Sequence, residues 1–207
     1  MRFLLFLLWI AFIGYAYFFA PGERGMDDAI LQSLLRFQSD EPSLLAVFSL
    51  LGVFPIAFGC LLLRADRYGV PAWPFVLVSL ALGAFALLPY FFLTSPISRR
   101  NNRTPTRLFY ILIHGMFLFI LLVLAIWIIV YGVVFGDWNA YLEAFQQSHL
   151  VHVMTIDLII LCILSIIAIK RDRVYAYPAK IIPIIGCIPA VGLLIYTLAF
   201  AARPHRG

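Results

Sequence analysis

Charge is scarce in this sequence. Lys, Arg, Asp and Glu make up 12% of its 207 residues, about half the share found in a soluble domain. Cysteine is scarce too. Cys60, Cys162 and Cys187 form no C-x-x-C pair, and three cysteines cannot frame a secreted disulfide scaffold. All three sit in apolar runs, where they read as small hydrophobes. Lysine occurs only at positions 170 and 180. Several catalytic signatures are missing altogether. There is no H-E-x-x-H, no P-loop, no G-x-S-x-G and no dinucleotide fingerprint.

What the chain has is apolar surface. Hydrophobic residues reach 64% and mean hydropathy is +1.00. One globular core cannot hide that much, so the expected solvent is lipid. The net charge of +5 then reads as loop arginines facing anionic lipid rather than as a nucleic-acid surface.

Six apolar runs are long enough to span a bilayer as helices. They cover Phe3 to Ala20, Ser43 to Leu63, Trp73 to Thr94, Phe109 to Phe135, Leu150 to Ile169 and Ile181 to Ala201. The first is read as a retained helix, because its core is long for a signal peptide and Phe18 would occupy the −3 position of a cleavage after Ala20. Segments 21–42 and 136–149 carry amphipathic pieces, the second with Trp138, Tyr141, Leu142 and Phe145 on one face. Both read as helices lying at the membrane surface, with Asp137 capping the second.

The two halves echo each other. Each reads as span, amphipathic connector, span, charged turn, span. The charged turns are Arg64–Arg67 and Lys170–Arg173, followed by Pro71 and Pro178. Ser79 and Gly83 recur as Gly186 and Ala190 at the same offset of 107 residues. The expected fold is therefore all-α: a polytopic integral membrane protein with six transmembrane helices, arranged as a two-fold repeat of a three-helix unit. Residues 1–97 form the first repeat, 98–108 a basic cytoplasmic-side linker and 109–207 the second repeat. An odd number of spans per unit would invert one half relative to the other, as in many secondary transporters. With six spans the cytoplasmic side collects ten basic residues and the other side five, and both termini lie outside. Ser79-x-x-x-Gly83 and Gly186-x-x-x-Ala190 read as small-residue faces on which the third and sixth helices pack together. Pro55, Pro89, Pro183 and Pro189 should kink their helices.

The dense polar cluster falls on the fifth run: His149, His152 and Asp157, with Thr155 between. An intramembrane carboxyl is costly and requires a partner. His114 is the expected one. Asp157 reads as a structural acceptor or as part of a proton or cation relay with a histidine; in a third reading His149, His152 and a carboxylate, Glu143 or Asp157, bind a metal. A structural acceptor is the leading reading, and no metal site or cofactor is expected. Lys170, Arg171 and Arg173 are candidates for lipid head-group binding.

The second half has one further outline. Asp157 stands early in a span, Lys170-Arg-Asp-Arg173 follows, and then come Pro178 and a proline-containing last helix. Over residues 138–201 this resembles small bacterial and cyanobacterial three-helix membrane proteins grouped as a domain of unknown function. The first half departs from that outline, with Leu51 near the place of the Asp. The resemblance implies a multi-pass protein of a bacterial inner membrane, or of a thylakoid or organelle membrane, and supplies no site residues.

Three functions compete. The leading one is a non-catalytic accessory or assembly subunit, with the bilayer and other membrane subunits as partners and no nucleic acid. The second is a small solute or ion transporter with Asp157 in its pathway. The third is a membrane enzyme acting on a lipid or isoprenoid.

Overall fold

The apolar runs fold as helices, but not as six of them. The computed structural model describes residues 1–22, 30, 34, 41–63, 69–94, 114–176 and 183–201. Among these are eight α-helices, one 3-10 helix and no strand. In chain order they are α1 (Arg2–Phe18), α2 (Pro42–Leu62), α3 (Trp73–Leu82), α4 (Ala84–Leu93), α5 (Gly115–Phe135), α6 (Trp138–Gln147), α7 (His149–Ala176), the 3-10 helix Pro183–Cys187 and α8 (Val191–Ala201). Three of them, α2, α5 and the His149–Asp172 stretch of α7, are long and apolar enough to cross a membrane. The Arg64–Arg67 turn, the 98–108 linker, Phe109 and Pro178 lie outside the described residues, as does the first connector apart from its ends, Ile30 and Leu34.

Four helices run the length of the bundle, and hydrogen bonds fix their directions. At the end where the chain begins, here the proximal end, Arg2 donates to the carbonyls of Phe92 and Leu93 at 3.1 and 3.0 Å. At the distal end His149 bonds the carbonyl of Ala16 at 2.8 Å. So α1 runs proximal to distal and α7 starts distal. The latter returns to the proximal end, where Arg171 bonds the carbonyl of Phe91 and the hydroxyl of Thr94. Helix α5 finishes distally beside the start of α2, with the Asp137 amide donating to Glu41 at 2.7 Å. Helix α2 then ends near Tyr90, Phe91 and Arg171. Thus α1 and α5 share one direction, and α2 and α7 share the other.

The third run is not one helix. It breaks at Gly83, which has φ 53° and ψ −128°, a conformation that essentially only glycine adopts. The chain reverses there. The rings of Phe75 and Tyr90 lie 5.7 Å apart, whereas fifteen residues of continuous helix would separate them by about 22 Å. Helices α3 and α4 therefore form a hairpin of two ten-residue arms, each about 15 Å long, with its tip halfway along the bundle. Pro89 sits within α4 and Pro55 within α2 without ending either helix.

The sixth run breaks as well. After the 3-10 turn, Pro189 and Ala190 interrupt it, and Ala190 takes φ 55°. Gly186 packs on Ser165 of α7, while Tyr196 reaches Asp172, nearer the proximal end, at 2.6 Å. A Cβ on Gly192 would overlap the carbonyl of Ile185. This run, too, enters from the proximal end, turns and goes back.

A further correction concerns Lys170–Arg173. These residues form no turn, because α7 continues through them to Ala176. No glycine or proline interrupts them, and Arg171 and Asp172 have partners that hold the helix in place.

The tightest helix pair is α2 with α5. A Cβ on Gly132 would overlap that of Ala46, and one on Gly136 would meet Ser43. The core spreads from this pair through Phe54, Phe58, Leu87, Leu118, Leu161 and Leu194, all essentially inaccessible. Other packed pairs are α1 with α4, α5 with α8, α2 with α3, α7 with the 3-10 helix, α4 with α7, α8 with α2, and α2 with α7. Helix α6 caps the distal end. Asp137 accepts from the amides of Asn139 and Ala140 at 2.8 and 3.4 Å, the expected N-cap. Tyr141 anchors α6 through a 2.6 Å bond to Thr155.

Candidate functional site

The hairpin tip creates a chemical problem. A helix N-terminus exposes backbone N–H groups that need acceptors. Gly83, the N-cap of α4, has no side chain to offer. Asp157 of α7 supplies the acceptor instead. Its Oδ1 takes the Ala84 amide at 2.8 Å, at the positive end of the α4 dipole. The residue is 5% exposed. Its other oxygen, Oδ2, lies against the bare Cα of Gly83, where a Cβ would overlap the carboxyl group. Among the described residues, Oδ2 takes no hydrogen bond.

Asp157 also lines a cavity of about 340 Å³. Its walls are apolar residues of α2, α3 and α7, including Phe48, Leu51, Leu80 and Met154, with Phe85 and Ser79 near the tip. The Ser79 hydroxyl donates to the Val76 carbonyl at 2.8 Å. Gly52, Leu80, Ala81 and Leu82 on the rim are exposed. The cavity is thus an apolar cleft with one acid at its floor and its mouth on the outer face of the bundle.

The other residues singled out from the sequence lie elsewhere. His152 bonds the Phe145 carbonyl at 2.9 Å and the Tyr15 hydroxyl at 2.6 Å, with its ring stacked 4.1 Å from that of Phe145. It joins α7 to α6 and α1. His149 ties α7 to the end of α1. These histidines brace the distal end through both ring nitrogens of His152 and Nε2 of His149. His114, the expected partner of Asp157, is exposed at the N-cap of α5, and the carboxyl bonds a backbone amide instead. Among the described residues no group of three or more His, Cys, Asp or Glu is placed to hold a metal.

The small-residue pairs serve a different contact from the one expected. Gly83 meets Asp157, and Gly186 meets Ser165. Both therefore pack on α7 rather than on each other. Ser165 donates to the Gly186 carbonyl at 2.6 Å, so in this second hairpin a hydroxyl on α7 meets the interrupted backbone. Of the head-group candidates, Lys170 is exposed. Arg171 is held against α4, 5.0 Å above the Phe91 ring, and the side chain of Arg173 lies outside the described residues.

The feature that sequence reasoning missed is the break itself. Its signal was Gly83 at the centre of a 22-residue apolar run, but glycine is also common in intact membrane helices. No protein-family model, curated protein or solved structure matches this chain.

Proposed function

We propose that this is a multi-pass membrane protein that handles a small molecule inside the bilayer, with Asp157 at the working site. In this reading α1, α2, α5 and α7 cross the membrane, and the two interrupted runs are re-entrant hairpins entering from the same side. The observation that carries it is the buried Asp157 carboxyl, capping a broken helix at mid-bundle while lining a cavity. Irregular backbone at membrane depth is tolerated where it is buried in protein or lines a cavity. Interrupted segments at corresponding places in two halves mark binding sites in many carriers.

The duplication and the topology support each other. An offset of 107 carries Gly83 onto Ala190, and both have positive φ one residue before a helix. The same offset carries the start of α2 onto the start of α7. Packing follows suit: α1 on α4 mirrors α5 on α8, and α4 on α7 mirrors α8 on α2. Each half then has two crossings and one hairpin. That number is even, so the halves run parallel rather than inverted. By sequence, the segments joined to the proximal helix ends carry thirteen Lys and Arg against two acids, and those joined to the distal helix ends two against seven. This is a far sharper asymmetry than six spans give, and it assigns the proximal end to the cytoplasm.

Complementation tests the function. In a host strain lacking the gene, the wild type restores the small-molecule profile of the membrane, while Asp157→Asn does not, although it accumulates and folds. An asparagine oxygen still accepts from Ala84, so the cap survives and the acid is lost. If the protein is an accessory subunit, Asp157→Asn complements fully and a partner co-purifies at fixed stoichiometry. That outcome would overturn the proposal.

A further inference from the structure

We infer that the ligand of the Asp157 cleft is a lipophile with a single hydrogen-bond-donating head, an alcohol or an amine, that enters sideways from the bilayer. The inference rests on the site proposed above and names what it takes.

The cavity supplies the argument. Its volume of about 340 Å³ falls at the lower end of small-ligand pockets, which run from roughly 300 to 1,000 Å³. Nearly all of its lining is apolar, so most of the ligand must be apolar too. The acid is the exception. Asp157 is 95% buried, from its 5% exposure, and only one of its oxygens has a donor. The second oxygen is not sealed off but open to the cleft, and an acid oxygen in apolar surroundings without a protein donor favours a ligand that brings a proton donor to it. Among the described residues no Lys or Arg lines the cleft, so a phosphate head would bring a second anion with no described cation to balance it. Among the described residues the lining holds no carboxyl, His or Cys besides Asp157, too few ligands for a metal ion. Ser79 faces the same space with its proton committed to Val76, so it too offers an acceptor. The entrance follows from the rim. Gly52, Leu80, Ala81 and Leu82 are exposed on the face that lipid covers when α2 and α7 cross the bilayer. At Gly52 a Cβ would meet nothing within 4 Å, so the mouth is open there.

Photolabelling in phosphatidylcholine nanodiscs tests this, with a diazirine-bearing dodecanol as the probe. We expect label on Leu51, Leu80 or Met154. Unlabelled dodecanol or dodecylamine should compete at about a tenfold lower concentration than dodecane, the worth of one hydrogen bond to a buried acid. Asp157→Ala should erase that difference. Since this variant also loses the α4 cap, Gly52→Phe provides a second test: it fills the mouth, touches no hydrogen bond and should abolish cleft labelling while the fold is kept. Equal competition by dodecane and dodecanol overturns the ligand class but leaves the site standing. Labelling indifferent to Gly52→Phe is ordinary lipid contact and overturns the inference. The site itself falls only if Asp157→Asn complements.

Discussion

Gly83→Ala is the sharpest perturbation of this architecture, because two independent costs meet at one atom. The first is conformational. At φ 53° and ψ −128° a residue with a Cβ is strained by about 1–3 kcal/mol. The second is steric. The new methyl would occupy the space of the Asp157 carboxyl, which must move and so loses the Ala84 amide at 2.8 Å. Leaving that buried donor unmet costs about 1–3 kcal/mol. Together the substitution should destabilise the protein by about 2–6 kcal/mol, against the roughly 0.5 kcal/mol of an inconsequential change. Unfolding in mixed micelles measures it. Trp9 is a built-in reporter, since its indole donates to the Phe85 carbonyl beside the tip at 3.0 Å. A double-mutant cycle separates the two costs. In Asp157→Ala the carboxyl is already gone, so adding Gly83→Ala should cost only the backbone strain. The two changes should therefore fall short of additive by about 1–3 kcal/mol, the bond that is lost only once. Strict additivity would refute the claim that Asp157 caps the hairpin at Gly83. A cost below about 0.5 kcal/mol for Gly83→Ala alone would refute the break itself.

Three further outcomes follow from other contacts. Ala190 holds φ 55° with a side chain that is fully buried, so Ala190→Gly trades about 1–3 kcal/mol of relieved strain against about 0.8 kcal/mol for the lost methyl and should cost little or stabilise in the same assay, unlike the change at Gly83. Gly132 abuts Ala46, so Gly132→Leu should push α5 off α2 and cost about 1–3 kcal/mol or more, whereas Gly115→Leu, at an open position, should cost little. Burial pushes the Tyr141 phenol above its ordinary value, against the opposing pull of the Thr155 bond. The neutral form is thus the one that docks α6. Its contribution is complete below pH about 10 and is lost as pH rises through the raised folded value. Hydrogen exchange across Trp138–Gln147 should accelerate over that window, and Tyr141→Phe should flatten the profile.

How much of the site was legible depends on whether side chains or backbone made it. Asp157 stood out at once, because a carboxyl within an apolar run is costly and demands a partner. Among side chains, His114 is the partner the sequence offers. The real partner is an amide that exists as a free donor only because α4 starts at Ala84. No residue type announces such a donor; it is a product of the break. The two histidines near Asp157 in sequence were grouped with it by spacing along one helix. Yet the bonds of His152 go to Tyr15 and Phe145, which lie distally, and Asp157 turns towards α4. Helical spacing places residues on a surface but does not say which neighbour covers each part of it. In contrast, the Asp137 cap was legible to the residue, because N-capping is local chemistry. So was a glycine pair that was passed over: Gly132-x-x-x-Gly136 is the small-residue motif that the closest helix pair uses.

The topology turned on an ambiguity that composition cannot resolve. A continuous span of about twenty apolar residues and a hairpin of two ten-residue arms have the same hydropathy. They differ by one crossing, and with it every later segment changes sides. Counted as spans, the runs at 73–94 and 181–201 give three crossings per half, inverted halves and a basic ratio of ten to five. Taken as re-entrant hairpins, the reading proposed above from the reversals at Gly83 and Ala190, they would give two crossings, parallel halves and thirteen to two. The charge distribution is independent of the geometry that produced the second count. The acid-rich 21–42 segment, cytoplasmic when six spans are counted, falls on the other side in the second count. In the proposed topology the same two residues that stop the helices also set which face of the membrane each loop sees, and they leave Asp157 facing a hairpin tip instead of the side of a helix whose amides would already be bonded.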